Sequence, residues 1–348
     1  MTEKSYGGNN GVREHLGKII KDKSSSKVVK EKIRKSKSEK IEESSSDIKI
    51  DSKSLDELES YLKAGEILKE VRNFAKSLIK KDMLLVDIAK KIEDKITELG
   101  GEVAFPVNLS IDDIAAHYHP TLEDTTTAKG LLKIDLGIHI NGYIADSAFT
   151  LDLSGNNKHK ELINASLEAL EAALKTLDKN PSLNDIGKEI QKAIENKGFS
   201  PIVNLCGHSL ERYNIHAGIT IPNHANNNPN KLDTGAYAIE PFATYGEGKI
   251  FEGPPSNIYC IVNFKTPRGP TARKILEYVW KKKQTLPFSL REVQEKFGPM
   301  SRLALKELEQ NKIIHSYPQL IEVSHKEVAQ AEHTFIKTID GKIIVTTK

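Results

Sequence analysis

The stretch Leu131–Thr150, LLKIDLGIHINGYIADSAFT, constrains this chain more than any other. Asn141-Gly142 suits a two-residue type I′ hairpin, whose central positions both need the positive φ that Asn and Gly tolerate. Pairing Ile140 with Tyr143 then fixes the register of the whole ribbon, placing Asp146 opposite Gly137 and Asp135 opposite Ala148. Side chains alternate between the faces of a strand. Asp135 and Asp146 therefore become diagonal neighbours on one face, with Cα atoms about 7–8 Å apart. Ile134, Leu136, Ile138, Ile140, Tyr143 and Phe149 take the other face and read as core.

Two carboxylates aimed the same way inside a sheet repel each other, and burial raises the cost. Several readings relieve this. One aspartate is protonated or bonded to Lys133, or the face is open to water, or a divalent cation turns repulsion into coordination. Gly137 and Ala148 opposite the aspartates leave room for the cation. Downstream, NLCGHSL places His208 after a glycine, AIEPF puts Glu240 at the end of an apolar strand, and AEHT puts Glu332 at the start of the last strand, which turns back at Asp340-Gly341. Each alone is an ordinary surface or loop residue. Together Asp135, Asp146, His208, Glu240 and Glu332 offer four carboxylates and one imidazole, which suit two hard-to-borderline ions. They do not suit a structural zinc site, which prefers thiolates.

The chain of 348 residues has 38% hydrophobic and 28% charged residues and a net charge of +3, a balance that suits a soluble globular protein and implies little about partners. Its two cysteines, Cys206 and Cys260, make neither a disulfide framework nor a cysteine zinc site, and fit a reducing cytoplasm. No apolar run approaches the roughly 20 residues of a membrane span, and MTEKSYGGNN lacks a signal-peptide core. Residues 1–50 stand apart, with 13 Lys/Arg against 8 Asp/Glu, serine runs, and no aromatic after Tyr6. Such a segment buries too little apolar surface to offset its ordering entropy. A disordered, solubilising extension is the plain expectation, and an arm on ribosomal or other RNA phosphates the sharper one.

Order is expected from Ser54-Leu55-Asp56-Glu57, a capping-box pattern opening a helix through Leu78. A second helix is expected over Leu84–Leu99, stopped by Gly100-Gly101, then a strand over Ala104–Leu109. Further helices are expected at 158–177 and at 182–197, the latter capped by Ser182. Helix pairs alternating with short strands indicate an α+β or α/β protein. Between Glu240 and Glu332 lie 91 residues, too many for a sheet connection. Within them Thr271–Lys283, Leu290–Phe297 and Arg302–Gln310 read as helices, with Ser289 and Ser301 as caps.

KIDLGIHINGYIADSAFT, NLCGHSL, IHAG, YAIEPFAT and AEHTFIK resemble the methionine aminopeptidases in order and spacing, over about residues 55–348. The resemblance implies an α+β pita-bread fold of two pseudo-twofold halves, a curved antiparallel sheet inside and helices outside. The late helical segment resembles the winged-helix-like insertion of the type 2 enzymes of archaea and eukaryotes. The implied division is a 1–50 extension, a catalytic domain over 51–268 and 316–348, and an insertion over 269–315. The resemblance also makes Asp135, Asp146, His208, Glu240 and Glu332 ligands of two divalent ions per subunit (cobalt, manganese, iron or zinc), with Asp146 and Glu332 spanning both.

It further implies removal of the initiator methionine from nascent polypeptides, by a monomer in the cytoplasm, with small second residues preferred. Glu240 would take and return a proton, while His117 and His216 would stabilise the oxyanion and position or protonate the departing nitrogen. Phe105, Ile215, Phe242 and Tyr317 would enclose the methionine side chain. His119, Ala331 and Asn257 depart from the family's usual residues, and Cys206 stands close to the ligand set. An Xaa-Pro peptidase of the same fold is the first alternative. A non-catalytic relative that binds RNA or protein is the second, and its mark would be lost ligands.

Every expected site residue lies beyond Leu55, so deleting residues 1–50 should leave turnover of a Met-Ala-Ser peptide unchanged. An RNA-binding arm predicts that the deletion weakens ribosome co-sedimentation, and that the full chain's binding falls with salt. Equal, salt-insensitive co-sedimentation of both forms would remove that arm.

Overall fold

The computed structural model describes residues 52–348. Expectations for the 1–50 extension fall outside the described residues. Two helices come first, α1 (Ser52–Leu78) and α2 (Leu85–Glu98). The first corrects the expected start: Ser54 lies two residues inside it and is not its cap. The second ends as expected, with Gly100 at φ 81° and the Gly101 N–H returning to the Ile96 carbonyl. Next come strands β1 (Glu102–Ile111), β2 (Ile114–Ala116), β3 (Leu131–Ile140) and β4 (Tyr143–Asp152). The hairpin has the predicted register, Gly137 opposite Asp146 and Asp135 opposite Ala148, with positive φ at Asn141 and Gly142.

Strands β1, β3 and β4 form one antiparallel sheet. Its apolar face, including Ile134, Leu136, Ile138 and Phe149, packs against Leu68, Val71, Ile88 and Ile92 of the helix pair. Ile140 is only partly buried there, and Tyr143 leaves this core to donate its hydroxyl to Glu57 at 2.8 Å. Pro106 lies within the register shift between Phe105 and Asn108, where its missing N–H breaks no ladder.

The second half repeats this plan. Helices α3 (Lys160–Leu177) and α4 (Leu183–Glu195) precede β5 (Ser200–Pro201), β6 (Cys206–Leu210), β7 (Thr220–Pro222), β8 (Gly235–Ile239) and β9 (Phe242–Thr244). Ser182 caps α4 through a complete capping box with Asp185. The long segment between Glu240 and Glu332 holds β10 (Ile250–Ile261), α5 (Pro270–Lys283), β11 (Phe288–Ser289), α6 (Leu290–Phe297), α7 (Ser301–Gln310) and β12 (Ile314–Glu322). The chain closes with β13 (Val328–Gln330), β14 (His333–Lys337) and β15 (Ile343–Val345). Sheet order β15-β14-β8-β6-β7 is backed by α3 and α4, whose Leu162, Leu170, Ile186 and Ile190 meet Tyr237, Ile239 and Phe335. Two helix-backed antiparallel sheets facing inward form the expected pita-bread arrangement.

Helices α5 to α7 enclose a core of their own around Ile275, Val279, Val293, Leu305 and Leu308. Ser289 caps α6, accepting the Glu292 N–H at 3.0 Å. Ser301 is not a cap: it is the first residue of α7, and its hydroxyl donates back to the Gly298 and Val293 carbonyls. Strands β10 and β12 run out of this core into the body, where Leu320 pairs with Ala116. Cys206 and Cys260 form no disulfide. Among the described residues, no helix is long and apolar enough to cross a membrane.

The halves meet along β4, where side-chain hydroxyls stand in for part of a backbone ladder. The Thr334 hydroxyl accepts the Asp146 N–H at 2.7 Å and donates to the Asp146 carbonyl at 2.8 Å. Ser147 donates to the Glu332 carbonyl at 2.7 Å, and the Glu332 N–H reaches the Ala148 carbonyl at 3.0 Å. Thr150 both donates to the Gln330 carbonyl and accepts the Gln330 N–H. Thr334 and Ser147 are fully buried, so water cannot replace these bonds.

Thr334→Val keeps the shape but leaves two buried backbone groups of Asp146 unpartnered. It should cost about 2–4 kcal/mol, whereas Thr334→Ser, which keeps the hydroxyl, should cost about 1 kcal/mol. Urea unfolding midpoints of the two variants decide this, and equal midpoints would refute the role given to the hydroxyl.

Candidate active site

The seam delivers the carboxylates to one place. Asp135 and Asp146 come from the hairpin, and Glu332 from the step between β13 and β14. Glu240 follows β8 immediately. His208 lies on β6, which approaches β8 so closely that a Cβ at Gly207 would meet the Ala238 carbonyl oxygen at 2.4 Å. Only glycine permits that approach, which brings His208 into register with Ala238. Asn223, fully buried, donates to both the Leu205 and Glu240 carbonyls and so fixes the backbone of Glu240 beside that of the His208 strand.

Asp146, His208 and Glu332 each present a donor atom within 4.8 Å of the others, and all three are buried. His208 Nε2 stands 3.8 Å from Asp146 Oδ2 and 3.6 Å from Glu240 Oε1, too far for hydrogen bonds. Oδ1 of Asp135, Oδ1 of Asp146 and Oε2 of Glu332 are buried acceptors without a hydrogen-bond partner among the described residues. Burial pushes the Asp135 carboxyl up to about 7. Burial and then the neighbouring carboxylates raise Asp146, Glu240 and Glu332 well above the usual range. Burial lowers His208 to about 4, leaving a neutral imidazole with a lone pair to offer. Orphaned hard oxygens around a neutral histidine fit divalent cations, which would supply the positive charge these groups lack.

Neither Lys133 nor water relieves the aspartate pair. Lys133 is buried and donates to the Asp112 and Leu131 carbonyls. Asp146 is 3% exposed and Asp135 half-buried, so their face is largely closed to water. One expectation needs correction: the space above Gly137 belongs to the Phe105 ring, which a Cβ there would strike at 2.1 Å. Gln330, invisible to motif reading, is 1% exposed and places its amide 3.5 Å from Glu240 Oε2 while also hydrogen-bonding Asp135. Its signal was its position two residues before Glu332, on the same face of an extended chain.

His117 has φ 66° and its Nδ1 lies 3.1 Å from the Pro318 carbonyl. A carbonyl only accepts, so Nδ1 carries the proton and Nε2 a lone pair. Burial lowers His117 to about 4. The His216 ring packs edge-on against His208 with centroids 4.6 Å apart. One edge of His216 is open, yet the surrounding protein first, then His208 and His117, hold it well below the usual histidine value. Tyr317 lies between these rings, 5.6 Å from His117 and 6.5 Å from His216. Phe105 and Ile215 share one buried cluster with Ile144, Leu210 and Leu286. Phe242 lies in another, with Ala115, Ile202 and Val328, so the structure brings the four expected pocket residues together only in part. Ala331 is fully buried, and Asn257 takes φ 63° in an irregular stretch of β10.

The model of metallopeptidase family M24 matches residues 59–263. The chain belongs to family M24. Among M24 relatives, it is 43% identical over 298 residues to the methionine aminopeptidase of Thermococcus kodakarensis, a match covering 84% of this chain and 100% of that one. The structure titled as a thermophilic Arx1 superposes with a TM-score of 0.73 at 19% identity, covering 84% of this chain and 91% of the other. The methionine aminopeptidase of Thermotoga maritima superposes with a TM-score of 0.60 at 20% identity, covering 84% and 97%. These superpositions establish the M24 fold. As an M24 metallopeptidase the chain is a hydrolase with divalent metal as its cofactor.

With metal chelated, Asp135→Asn should stabilise the protein. The Asp135 folded value, about 7, exceeds the unfolded one, so the folded state holds the extra proton between them and loses stability as pH rises. The advantage of Asp135→Asn should thus be absent at pH 3, grow between about pH 4 and pH 7, and level off above. Histidines lowered by burial act in the opposite sense in both proteins and cancel, so the difference in thermal midpoint reports Asp135 together with its repulsion of Asp146, Glu240 and Glu332. A pH-independent difference would refute the shift.

Proposed function

We propose that this chain removes the N-terminal methionine from newly made proteins with two divalent ions per subunit. The observation that carries this reading is the convergence of Asp135, Asp146, His208, Glu240 and Glu332 on one buried centre, where Asp135, Asp146 and Glu332 each keep a carboxylate oxygen without a hydrogen-bond partner among the described residues. Identities of 41–44% to archaeal methionine aminopeptidases, over 83–84% of this chain and 99–100% of theirs, support the substrate class.

When bound, the ions supply Lewis acidity toward the scissile carbonyl and lower the pKa of an attacking water. The chain's own groups do the rest. Glu240, whose basicity is raised by burial and by Asp135, accepts the proton of that water and returns it. His117 is neutral near pH 7 with Nδ1–H committed to Pro318, so its Nε2 accepts the N–H of the scissile amide. This refines the expected role, because a neutral imidazole in that tautomer positions the departing nitrogen and does not protonate it. His216, at the rim beside His208, is placed to meet the carbonyl oxygen. Phe105, Ile215, Phe242 and Tyr317 form the methionine side of the cleft, where burial of the thioether chain is worth roughly 1.5–3 kcal/mol. The cleft prefers small second residues because the bond lies close to the metal centre.

Residues 269–315 form an insertion subdomain, residues 1–50 an arm toward ribosomal RNA, and the protein works as a cytoplasmic monomer. The test is methionine release from Met-Ala-Ser and Met-Pro peptides over a panel of cobalt, manganese, iron and zinc, with apo protein as control. Asp146→Ala and Glu332→Ala should abolish turnover. His117→Ala should lower kcat by about 10²-fold while calorimetric metal binding stays intact. Full activity in Asp146→Ala would sink this mechanism, and cleavage of Xaa-Pro peptides in preference to Met-Ala-Ser would replace the substrate.

A further inference from the structure

Arg291, in the first turn of α6, is 3% exposed, an unusual depth for a guanidinium. Its Nη2 pairs with Glu93 of α2, and its Nε donates to His119 Nε2 at 3.3 Å. His119 is equally buried, and its Nδ1 lies 2.8 Å from the Val107 carbonyl. That carbonyl only accepts and Arg291 only donates, so both partners demand one neutral tautomer, protonated at Nδ1. Burial and the adjacent Arg291 charge, which hold His119 down to about 3, agree with it. The other carboxylate oxygen of Glu93 accepts the Val107 N–H at 3.5 Å. One guanidinium thus holds both backbone groups of Val107, each through one intermediary.

Position makes this consequential. Val107 lies where the β1 ladder with β3 shifts register, two residues beyond Phe105. His119 lies two residues beyond His117. The His119 ring spans the gap from the Val107 carbonyl to the Arg291 guanidinium. A second contact, Glu123 with Arg302, joins the same loop to α7, but both side chains are at least half exposed and contribute little.

We propose that Arg291 is a positioning residue through which the helical insertion sets the His117 loop. The proposal rests on the role given above to His117. It therefore predicts non-additivity. Arg291→Met, of similar length and uncharged, should lower kcat for Met-Ala-Ser about tenfold or more. In a His117→Ala background the same change should cost less than about twofold, since the group it positions is gone. A merely structural role would cost the same factor in both backgrounds, after correction for folded fraction, and that result overturns the proposal. His119→Phe, checked for folding by circular dichroism, should repeat the pattern and carries the cycle if Arg291→Met does not fold, because the half-buried Glu93 loses its partner there. Full kcat in either folded single variant also overturns it. Absence of turnover in the wild type would overturn the proposed function and this positioning role together, whereas additive losses in an active wild type would overturn the positioning role alone.

Discussion

Four carboxylates, Asp135, Asp146, Glu240 and Glu332, face one another in a space largely closed to water. Their mutual repulsion and lost hydration oppose folding. Arg72 feels the charge of Glu332, yet its Nη1 is directed to the Thr347 carbonyl and to His333 Nδ1. The framework must therefore be strong enough to hold the carboxylates together, and a divalent cation supplies the charge that makes the arrangement favourable.

The framework is two helix-backed sheets joined along β4 by hydroxyls of Ser147, Thr150 and Thr334. A continuous ladder would carry side chains past the seam at fixed spacing. The hydroxyl bonds instead satisfy the backbone while letting Glu332 step out of line between β13 and β14 toward the hairpin. The seam thus bears mechanical load and ligand placement together, because the residues that close it stand beside those that face the centre along the same chain segments.

Around this centre the histidines are held neutral. His208 is lowered to about 4 and so offers a lone pair to a metal at ordinary pH. His117 has its tautomer dictated by Pro318, and His119 by Val107 and Arg291. Burial sets the charge state of these rings, and backbone carbonyls decide which nitrogen faces outward.

The local parts of this protein were written in its sequence. The Asn141-Gly142 turn needs no distant partner to be favoured, and strand alternation then settles which face carries Asp135 and Asp146. The Ser182 box and the Ser289 cap are also short-range hydrogen bonds, and they stand where the sequence put them. The start of α1 lies two residues before the expected Ser54, and α7 begins at Ser301 itself because its hydroxyl is taken up by the Gly298 and Val293 carbonyls. Motif spacing named the five candidate residues of this centre, but their meeting was decided only in three dimensions: Thr334 closes on Asp146 across 188 positions of chain. Gln330, Asn223 and Arg291 escaped motif reading for the same reason. A buried amide or guanidinium takes its role from the groups it meets, and those groups come from elements far apart in the sequence.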